Sequence, residues 1–391
     1  MSTTLHRPAV RWSAPVAAVA VIAGGALWVG RPASADGGLP TLTAQQLLVA
    51  AQRSAAAGSV TGLSGTVRQR VDLGLPDLGS LAGSGAGGSS ASGGLSPMTL
   101  LSGTRTWRVW VDGPTRQRVA LVSQLGESDV VRDGRTVWTW DSAEKTATKV
   151  ELPAPTGKPG AAANRTPTDL VPRTPQEAAD QALAAAGRTT DVTTSGLATV
   201  AGRDAYELVL TPKDAATRVG QVRIALDGAT KVPLRVEVFA RGASTPAVDV
   251  GFTSVDLSTP AASTFAFTPP PGATVRTESV PQPSAPDAAD RAKGEAAAQA
   301  LAPHVVGDGW SSVLVASVGA ATKAAGSGAT SDPSGAQDPS AALGVLPKVS
   351  GSWGSGRLLD GALFSAVLTD DGRVAVGAVA PDRLYAALSA H

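Results

Sequence analysis

The chain has 391 residues, of which 43% are hydrophobic and 17% charged, so it contains enough apolar material for a core. It contains no cysteine, which excludes disulfides, thiol catalysis and zinc–cysteine sites. The formal net charge is +1 and lysines and arginines do not cluster, so the basic footprint of a nucleic-acid-binding protein is missing. The three histidines, His6, His304 and His391, leave little material for a catalytic triad or a histidine metal site.

The N-terminal segment has the features of a secretory signal. Two arginines precede an apolar run over residues 14–29, and Ala33-Ser34-Ala35 offers small residues where a signal peptidase cuts. We therefore expect residues 1–35 to be a signal peptide cleaved after Ala35, with an uncleaved N-terminal anchor as the alternative. Cleavage removes three arginines and no acidic residue, so the formal net charge falls from +1 to −2. Both alternatives predict an extracytoplasmic protein, either secreted or held in the cell envelope.

A helix and a series of strands are predicted for the next part of the chain. Thr43 and Gln46 form a capping box, which predicts a helix from there to about Ala57. Residues 80–97 are almost purely Gly, Ser and Ala and predict a mobile loop. Period-two alternation predicts strands over residues 63–73, 107–111, 116–122, 137–141 and 148–152.

A second helix and a second series of strands follow a Pro/Gly/Ala-rich linker at residues 153–172. Thr174-Pro175-Gln176-Glu177 predicts the start of a helix that ends at Gly187. Period-two patterns then predict strands over residues 206–210, 222–226, 232–238, 248–252 and 265–267. Each strand is apolar on one face only, which is typical of an antiparallel sheet.

We expect a linker at residues 277–303, with a short helix near residues 292–301, and a small α+β unit at residues 304–391. The patterns of this unit predict strands over residues 311–318, 363–368 and 374–379 and a closing helix over residues 381–388. Residues 351–357 superficially resemble a glycine-rich phosphate loop. They lack the strand–helix context of such a loop, so we interpret them as a turn between strands.

The sequence argues against an enzyme. His304 follows a proline in a linker-like stretch, and the acidic residues fall mostly in turns, where turn chemistry accounts for them. The sequence shows no calcium loop, phosphate loop or dinucleotide fingerprint. We therefore expect no catalytic residue, no metal site and no cofactor.

The aromatic residues are the most informative side chains. Trp138 and Trp140 are two residues apart and should lie on one face of the sheet, whereas Trp107 and Trp110 should lie on opposite faces. These rings either belong to an ordinary core or line a concavity for an apolar ligand, with helices as its lid. On the second interpretation the ligand-cavity candidates are Trp107, Trp110, Trp138, Trp140, Tyr206, Leu208 and Phe252.

Two phrases of the sequence carry a resemblance to a known family. Residues 132–141 read RDGRTVWTWD, and residues 200–208 read VAGRDAYEL. Together with the order of helices and strands over residues 42–276, they resemble the LolA/LppX/RseB superfamily of periplasmic lipoprotein carriers and lipid binders, in particular actinobacterial LolA-like secreted proteins. The resemblance implies an α+β fold: a strongly curved antiparallel sheet (an unclosed β-barrel) with helices on its concave face, plus the small C-terminal α+β unit.

The resemblance also implies a function. A carrier-like protein would hold acyl chains non-covalently in an apolar cavity. Its partners would be an acyl lipid or a lipoprotein, and also a transporter. The alternative is an RseB-like (MucB/RseB-type) two-domain envelope sensor that binds a membrane-anchored anti-sigma factor and regulates sigma-factor activity, because the unit at residues 304–391 is similar to the second domain of such regulators. A third interpretation is a structural envelope module with a packed core. Relatives are often anchored by a lipid on an N-terminal cysteine, which is absent here.

Overall fold

A computed structural model describes residues 38–57, 60–75, 102–122, 126–153, 189–279, 303–317 and 346–390. The expected signal peptide, the loop at residues 80–97, most of the linkers and the helices expected over residues 174–187 and 292–301 lie outside the described residues. The described α-helices are α1 (Ala44–Ala57) and α2 (Pro381–Ser389). None of the described helices combines the length and apolar character of a membrane span.

The described strands fall into two sheets. Those of the large sheet are β1 (Gly62–Val71), β2 (Gly103–Asp112), β3 (Arg116–Val122), β4 (Glu127–Asp133), β5 (Thr136–Asp141), β6 (Thr146–Glu151), β7 (Thr190–Val200), β8 (Arg203–Pro212), β9 (Val219–Asp227), β10 (Pro233–Ala240), β11 (Pro246–Asp256) and β12 (Thr274–Ser279). Those of the small sheet are β13 (His304–Val306), β14 (Val313–Ser317), β15 (Lys348–Gly351), β16 (Gly354–Asp360), β17 (Ser365–Thr369) and β18 (Arg373–Gly377).

The large sheet is curved and does not close. Its strand order is β12-β6-β5-β4-β3-β2-β1-β11-β10-β9-β8-β7, so β12 and β7 are its edges. All neighbours pair antiparallel except β12 and β6, which are parallel. The described part of the protein is mostly β-structure, with less helix than the expected α+β fold implies. Residues 277–279, which we assigned to the linker, form the end of β12, and His304 lies in β13.

The capping box at the start of α1 forms as the sequence predicts. The backbone N–H of Thr43 donates to Gln46 Oε1 at 2.9 Å, and the backbone N–H of Gln46 donates to Thr43 Oγ1 at 3.2 Å. These two bonds satisfy N–H groups that have no partner within the helix. The register of α1 then turns Leu47 and Ala51 toward the sheet, where both are buried.

The pairing register defines two faces of the large sheet. One row of directly paired residues runs across β8, β9, β10, β11, β1 and β2, and consists of Leu208, Ile224, Val236, Val250, Gln69 and Arg105. We call the face that carries this row the first face and the opposite one the second face. Because side chains alternate along a strand, Trp107, Val109 and Val111 also lie on the first face, whereas Arg108 and Trp110 lie on the second.

Most of the core lies on the first face. Leu47 and Ala51 of α1 pack in one cluster with Leu208 and Ile224, and Leu47, Leu208 and Ile224 have no exposed surface. Burying a leucine or isoleucine side chain stabilises the fold by about 1.5–3 kcal/mol. A second cluster extends over β1–β3 and β7–β11, and its buried members are Leu63, Val67, Trp107, Val109, Val111, Leu121, Val200, Ala205, Ala225, Leu234 and Phe252.

The strand predicted over residues 265–267 does not form. A short 3-10 helix, Ala262–Phe265, contacts β3 and β4 instead, and the chain then continues to β12 at the edge of the sheet. The prediction was wrong because two phenylalanines two residues apart resemble the alternation of a strand. In the structure an irregular segment places both rings on the sheet instead. Residues 257–273 thus form a crossover that covers part of the second face.

The small sheet has the order β13-β14-β18-β17-β16-β15 and is covered by α2. Trp353, in the turn between β15 and β16, stacks on Tyr385 of α2 with ring centroids 5.4 Å apart. The interpretation of residues 351–357 as a turn between strands agrees with this hairpin. The strands and helix predicted for this unit correspond to β14, β17, β18 and α2.

The two sheets are joined directly. Thr217 and Val379 form an isolated antiparallel bridge, and the Thr217 hydroxyl donates to the carbonyl of Ala378 at 2.8 Å. Beside it, Arg218 pairs with Asp360 across the junction at 2.7 Å. Since Thr217 is only 1% exposed, this contact is shielded from water.

Candidate functional site

The structure divides the seven ligand-cavity candidates between the two faces. Trp107, Tyr206, Leu208 and Phe252 lie on the first face, and Trp110, Trp138 and Trp140 lie on the second. The two predictions on tryptophan orientation are confirmed, because Trp138 and Trp140 share a face and Trp107 and Trp110 do not. A sheet separates the two groups, so no single cavity is lined by all seven.

On the second face the crossover contacts the tryptophan pair. The ring centroid of Phe267 lies 5.4 Å from that of Trp138 and 6.3 Å from that of Trp140. Phe265, the last residue of the 3-10 helix, is 1% exposed. The second face of β3–β5 therefore has a small core of its own, in which Phe267 packs against the two half-buried tryptophans and Phe265 is buried beside β3 and β4.

The third tryptophan of the second face lies between two cations. The guanidinium carbons of Arg108 and Arg118 are 4.9 and 5.3 Å from the ring centroid of Trp110. Arg118 also donates to Asp129 Oδ2 at 2.6 Å, and Asp129 is only 4% exposed. Burial raises the pKa of the Asp129 carboxyl, while Arg118 acts in the opposite direction.

Ion pairs cover the second face of β8–β11. Arg235 makes two hydrogen bonds of 2.8 Å to the carboxylate of Asp249 and a 2.8 Å ion pair with Glu237. The stem of Arg235 crosses β11 at Gly251, where a β-carbon would lie 2.8 Å from Arg235 Cγ. A glycine is therefore needed under this arginine. Arg235 is 38% exposed, so these ion pairs reach water, whereas Val209, Ala225 and Phe239 on the same face are buried.

On the first face, Tyr206 and Leu208 lie in the cluster that also contains α1. Leu208 has no exposed surface, and the hydroxyl of Tyr206 donates to the carbonyl of Pro40 at 2.8 Å. The residues that precede α1 thus hold this part of the first face together. Trp107 and Phe252 lie farther along the same face, in the cluster over β1–β3 and β7–β11.

The apolar first face has a polar end, formed by Gln69, Arg105 and Trp107. Trp107 Nε1 donates to Gln69 Oε1 at 3.0 Å, and Gln69 is 1% exposed. Arg105, opposite Gln69 in the register, donates from Nη1 to the carbonyl of Ser102 at 2.7 Å. Burial lowers the pKa of Arg105. No acidic side chain of the described residues forms an ion pair with Arg105.

A pocket adjoins the polar end. Its volume is about 280 Å³, and it is open to solvent. Residues 70–75 and 102–104 line it. On the side away from the pocket, Leu73 and Leu75 pack against Phe364 and neighbouring residues of the small unit. Because Ser102 both lines the pocket and accepts from Arg105, the guanidinium lies next to the pocket wall.

Arg105 and Gln69 were not among the residues that the sequence analysis selected. Arg105 lies two residues before Trp107 in the alternation of β2, so its position on the apolar face could have been read from the sequence. The position of Gln69 follows in the same way from its place between Val67 and Val71. Within the described residues, acidic and histidine side chains are nowhere grouped in threes as a metal site would need.

A family model described as "Predicted periplasmic protein (DUF2092)" matches residues 96–276. The sequence has no significant match among curated proteins.

Three solved structures are similar to this chain. The MucA/MucB complex of Pseudomonas aeruginosa matches at 14% identity and a TM-score of 0.39, covering 88% of this chain and 96% of that one. A LolA-superfamily protein of Nitrosomonas europaea matches at 12% identity and a TM-score of 0.21, covering 58% and 99%. An uncharacterized conserved protein of Thermus thermophilus matches at 13% identity and a TM-score of 0.31, covering 60% and 99%.

Identities and TM-scores this low do not transfer a ligand or a partner from those proteins to this chain. The description of the matched family supports an extracytoplasmic location. Residues 96–276 match the DUF2092 family of predicted periplasmic proteins, and the solved structures that resemble this chain include a LolA-superfamily protein and MucB.

Proposed function

We propose that this protein is an extracytoplasmic, non-enzymatic binding protein that holds an acyl chain of a lipid or lipoprotein against the first face of the large sheet. The observation that supports this is the buried apolar cluster that includes residues of β1–β3 and β11, to which Trp107 and Phe252 belong. Its polar end lies beside an open pocket of about 280 Å³. Binding sites for small amphiphiles are mostly apolar with a few placed polar groups.

The energy of such binding comes from removing methylene groups from water. Each buried methylene contributes about 0.8 kcal/mol, so a long chain binds tightly without any covalent step. The first face is also long enough, since the strand from Arg105 to Val111 spans about 20 Å at about 3.3 Å per residue. An acyl chain lying along β2 would contact Trp107 and Val109 in turn.

The first test is to ask whether an acyl species accompanies the protein. We expect organic extracts of the purified protein to contain an acyl lipid by mass spectrometry, and a fluorescent fatty acid to bind the delipidated protein. Absence of both would contradict the proposal.

A matched pair of variants tests on which face of the sheet the binding site lies. Leu121 is 6% exposed on the first face, and its neighbour Val122 is 43% exposed on the second. We expect Leu121→Gln to weaken fatty-acid binding at least tenfold, because it puts an amide among apolar side chains. Val122→Gln should leave binding unchanged, and near-ultraviolet circular dichroism verifies that both variants fold. Equal effects of the two substitutions would argue against a first-face site.

A second candidate function is the binding of a membrane-anchored anti-sigma factor. The specific observation in its favour is the bridge between the two sheets at Thr217 and Val379, because a ligand on one unit could then affect a partner on the other. Val305 of β13 is 42% exposed and Leu197 of β7 is 57% exposed. We expect Val305→Asp, but not Leu197→Asp, to abolish a pull-down with the extracytoplasmic domain of an anti-sigma factor. Retained binding by Val305→Asp would contradict a role for this surface.

A further inference from the structure

Arg105 is placed differently from the other arginines of the neighbouring strands. The row that it ends is otherwise apolar apart from Gln69, and the three residues at its other end, Leu208, Ile224 and Val236, are at most 4% exposed. Arg108 and Arg118 lie on the second face, where they flank the ring of Trp110. Arg105 is thus a cation on the apolar side of the sheet.

Among the described residues, the partners of Arg105 do not neutralise it. Its described hydrogen bond goes to the neutral carbonyl of Ser102 at 2.7 Å, and Gln69, opposite it, is also neutral. A guanidinium has five N–H groups and binds carboxylate and phosphate oxygens in pairs. Arg105 is only partly buried, so an anion can reach it and form charge-assisted hydrogen bonds with it.

An anion can reach Arg105 from the pocket at the end of β1 and β2. Arg70, which is exposed, lines this pocket and supplies a positive charge, whereas Arg105 reaches the pocket wall through its hydrogen bond to the lining residue Ser102. The acidic residue of the pocket is Asp72, whose Oδ1 accepts a long hydrogen bond of 3.4 Å from the backbone N–H of Gly74. The pocket volume of about 280 Å³ is near the lower limit of small-molecule sites, which suits a head group better than a whole lipid.

We propose that Arg105 recognises the anionic head of the bound amphiphile, a carboxylate or a phosphate, so that the protein selects acidic acyl ligands over neutral ones. This inference rests on the proposed function. The head group occupies the pocket next to Arg105, and the chain runs from there along the first face past Trp107 toward Val111. Arg105 is a specificity residue, because it does not contribute to the binding of the hydrocarbon.

The experiment compares an acidic acyl ligand with its neutral ester. Palmitate, methyl palmitate, a lysophosphatidylglycerol and inorganic phosphate are each tested as competitors of a fluorescent fatty acid for binding to the full chain. We expect palmitate and the lysophospholipid to bind at least tenfold more tightly than the methyl ester, and phosphate alone not to compete. This comparison uses the unaltered protein and does not depend on any variant folding.

The variants then assign the preference to one side chain. Arg105→Gln should reduce palmitate affinity at least tenfold and change methyl palmitate affinity less than twofold. Arg105→Lys should retain part of the preference, because it keeps the charge and loses the paired hydrogen bonds. Arg108→Gln, on the same strand but on the opposite face, is the matched control and should change neither affinity.

Four outcomes would overturn the inference. If the unaltered protein binds acid and ester equally, or if Arg105→Gln weakens both equally, Arg105 is not a specificity residue, although acyl binding stands. If inorganic phosphate competes as well as the lysophospholipid, the site binds free anions and not head groups. If no acyl ligand binds at all, the proposed function itself fails.

Discussion

The two faces of the large sheet are built from alternate residues of the same strands, yet they are opposite in character. On β8–β11 the first face carries Leu208, Ile224 and Val236 out of contact with water, and the second face carries the ion pairs around Arg235. A shift of one residue in register would exchange the two sets, so burial of one face fixes the register of every strand.

Both faces also have regions that depart from their general character, and the register places a further arginine, Arg132 of β4, on the first face, where it donates to the carbonyl of Gly134 at 3.1 Å. The second face has a small apolar core at β3–β5, because the crossover turns Phe265 and Phe267 onto it. The first face has a cation, Arg105, at its polar end. The apolar core on the second face is explained by packing within the chain. Arg105 on the first face has no charged partner among the described residues, and it is therefore the feature that indicates a ligand.

The largest expected effect tests the exception on the second face. Phe265→Ala should lower the free energy of unfolding by about 3–5 kcal/mol, because it removes a fully buried ring from the crossover. The measurement is urea-induced unfolding followed by circular dichroism. Ser263→Ala, at an exposed position of the same 3-10 helix, is the control. A loss below about 1 kcal/mol for Phe265→Ala would mean that the second face is solvated throughout.

The general contrast between the faces is tested on β8. Leu208→Ala should cost about 2–5 kcal/mol, because Leu208 lies under α1 with no exposed surface. Thr211→Ala, on the exposed second face of the same strand, should stay within about 0.5 kcal/mol. Equal unfolding free energies for the two variants would contradict the assignment of faces.

The end of β9 gives a prediction with a defined pH dependence. Asp227 is 1% exposed, and burial raises its pKa, but hydrogen bonds from Arg203 at 2.6 Å and from Thr230 outweigh burial and hold the pKa below its ordinary value. The carboxylate therefore stabilises the fold above the ordinary carboxyl pKa of about 3.9, and this contribution is lost as the pH falls through the lower folded value.

Asp227→Asn should accordingly cost about 1–3 kcal/mol at neutral pH. The difference in unfolding free energy between the unaltered protein and the variant should shrink as the pH falls below about 4. Urea unfolding at a series of pH values measures it. A difference that stays constant down to pH of about 3 would show that the charge of Asp227 does not contribute.

The smallest effect concerns the ion pairs of the second face. Arg235 is 38% exposed, so Asp249→Asn should lower stability by only about 0.2–1 kcal/mol despite the paired hydrogen bonds. The loss should be smaller in about 1 M salt than in about 0.05 M salt, because salt screens exposed charges. Thermal unfolding at both salt concentrations measures it. A large, salt-independent loss would show that this region is buried.

Local patterns predicted much of the fold. The capping box of Thr43 and Gln46 and the orientation of the tryptophan pairs follow from spacing alone, and both are observed. β4 was not predicted, because Glu127, Asp129 and Asp133 make it look polar. The burial of Asp129 depends on Arg118 of the neighbouring strand, which a local pattern does not show. The parallel pairing of β12 with β6 depends in the same way on where the crossover ends.

The candidate site was harder to predict than the fold. Aromatic content selected seven residues, but the register separates Trp110, Trp138 and Trp140 from the other four. The alternation of β2 already places Arg105 on the apolar face, but only the pairing of β1 with β2 shows that Gln69 lies opposite it. Sequence spacing alone gives the face of each residue within its own strand, and the pairing of strands decides which faces coincide.

The most direct test of the central claim is to map where an acyl chain touches the protein. A fatty acid that carries a photoreactive diazirine is added to the purified protein and irradiated, and the modified residues are identified by mass spectrometry of peptides. The account predicts adducts on first-face residues of β2 and β3, such as Trp107, Val109 and Leu121. Adducts confined to Trp138, Trp140 and Phe267 would place the ligand on the second face and contradict it.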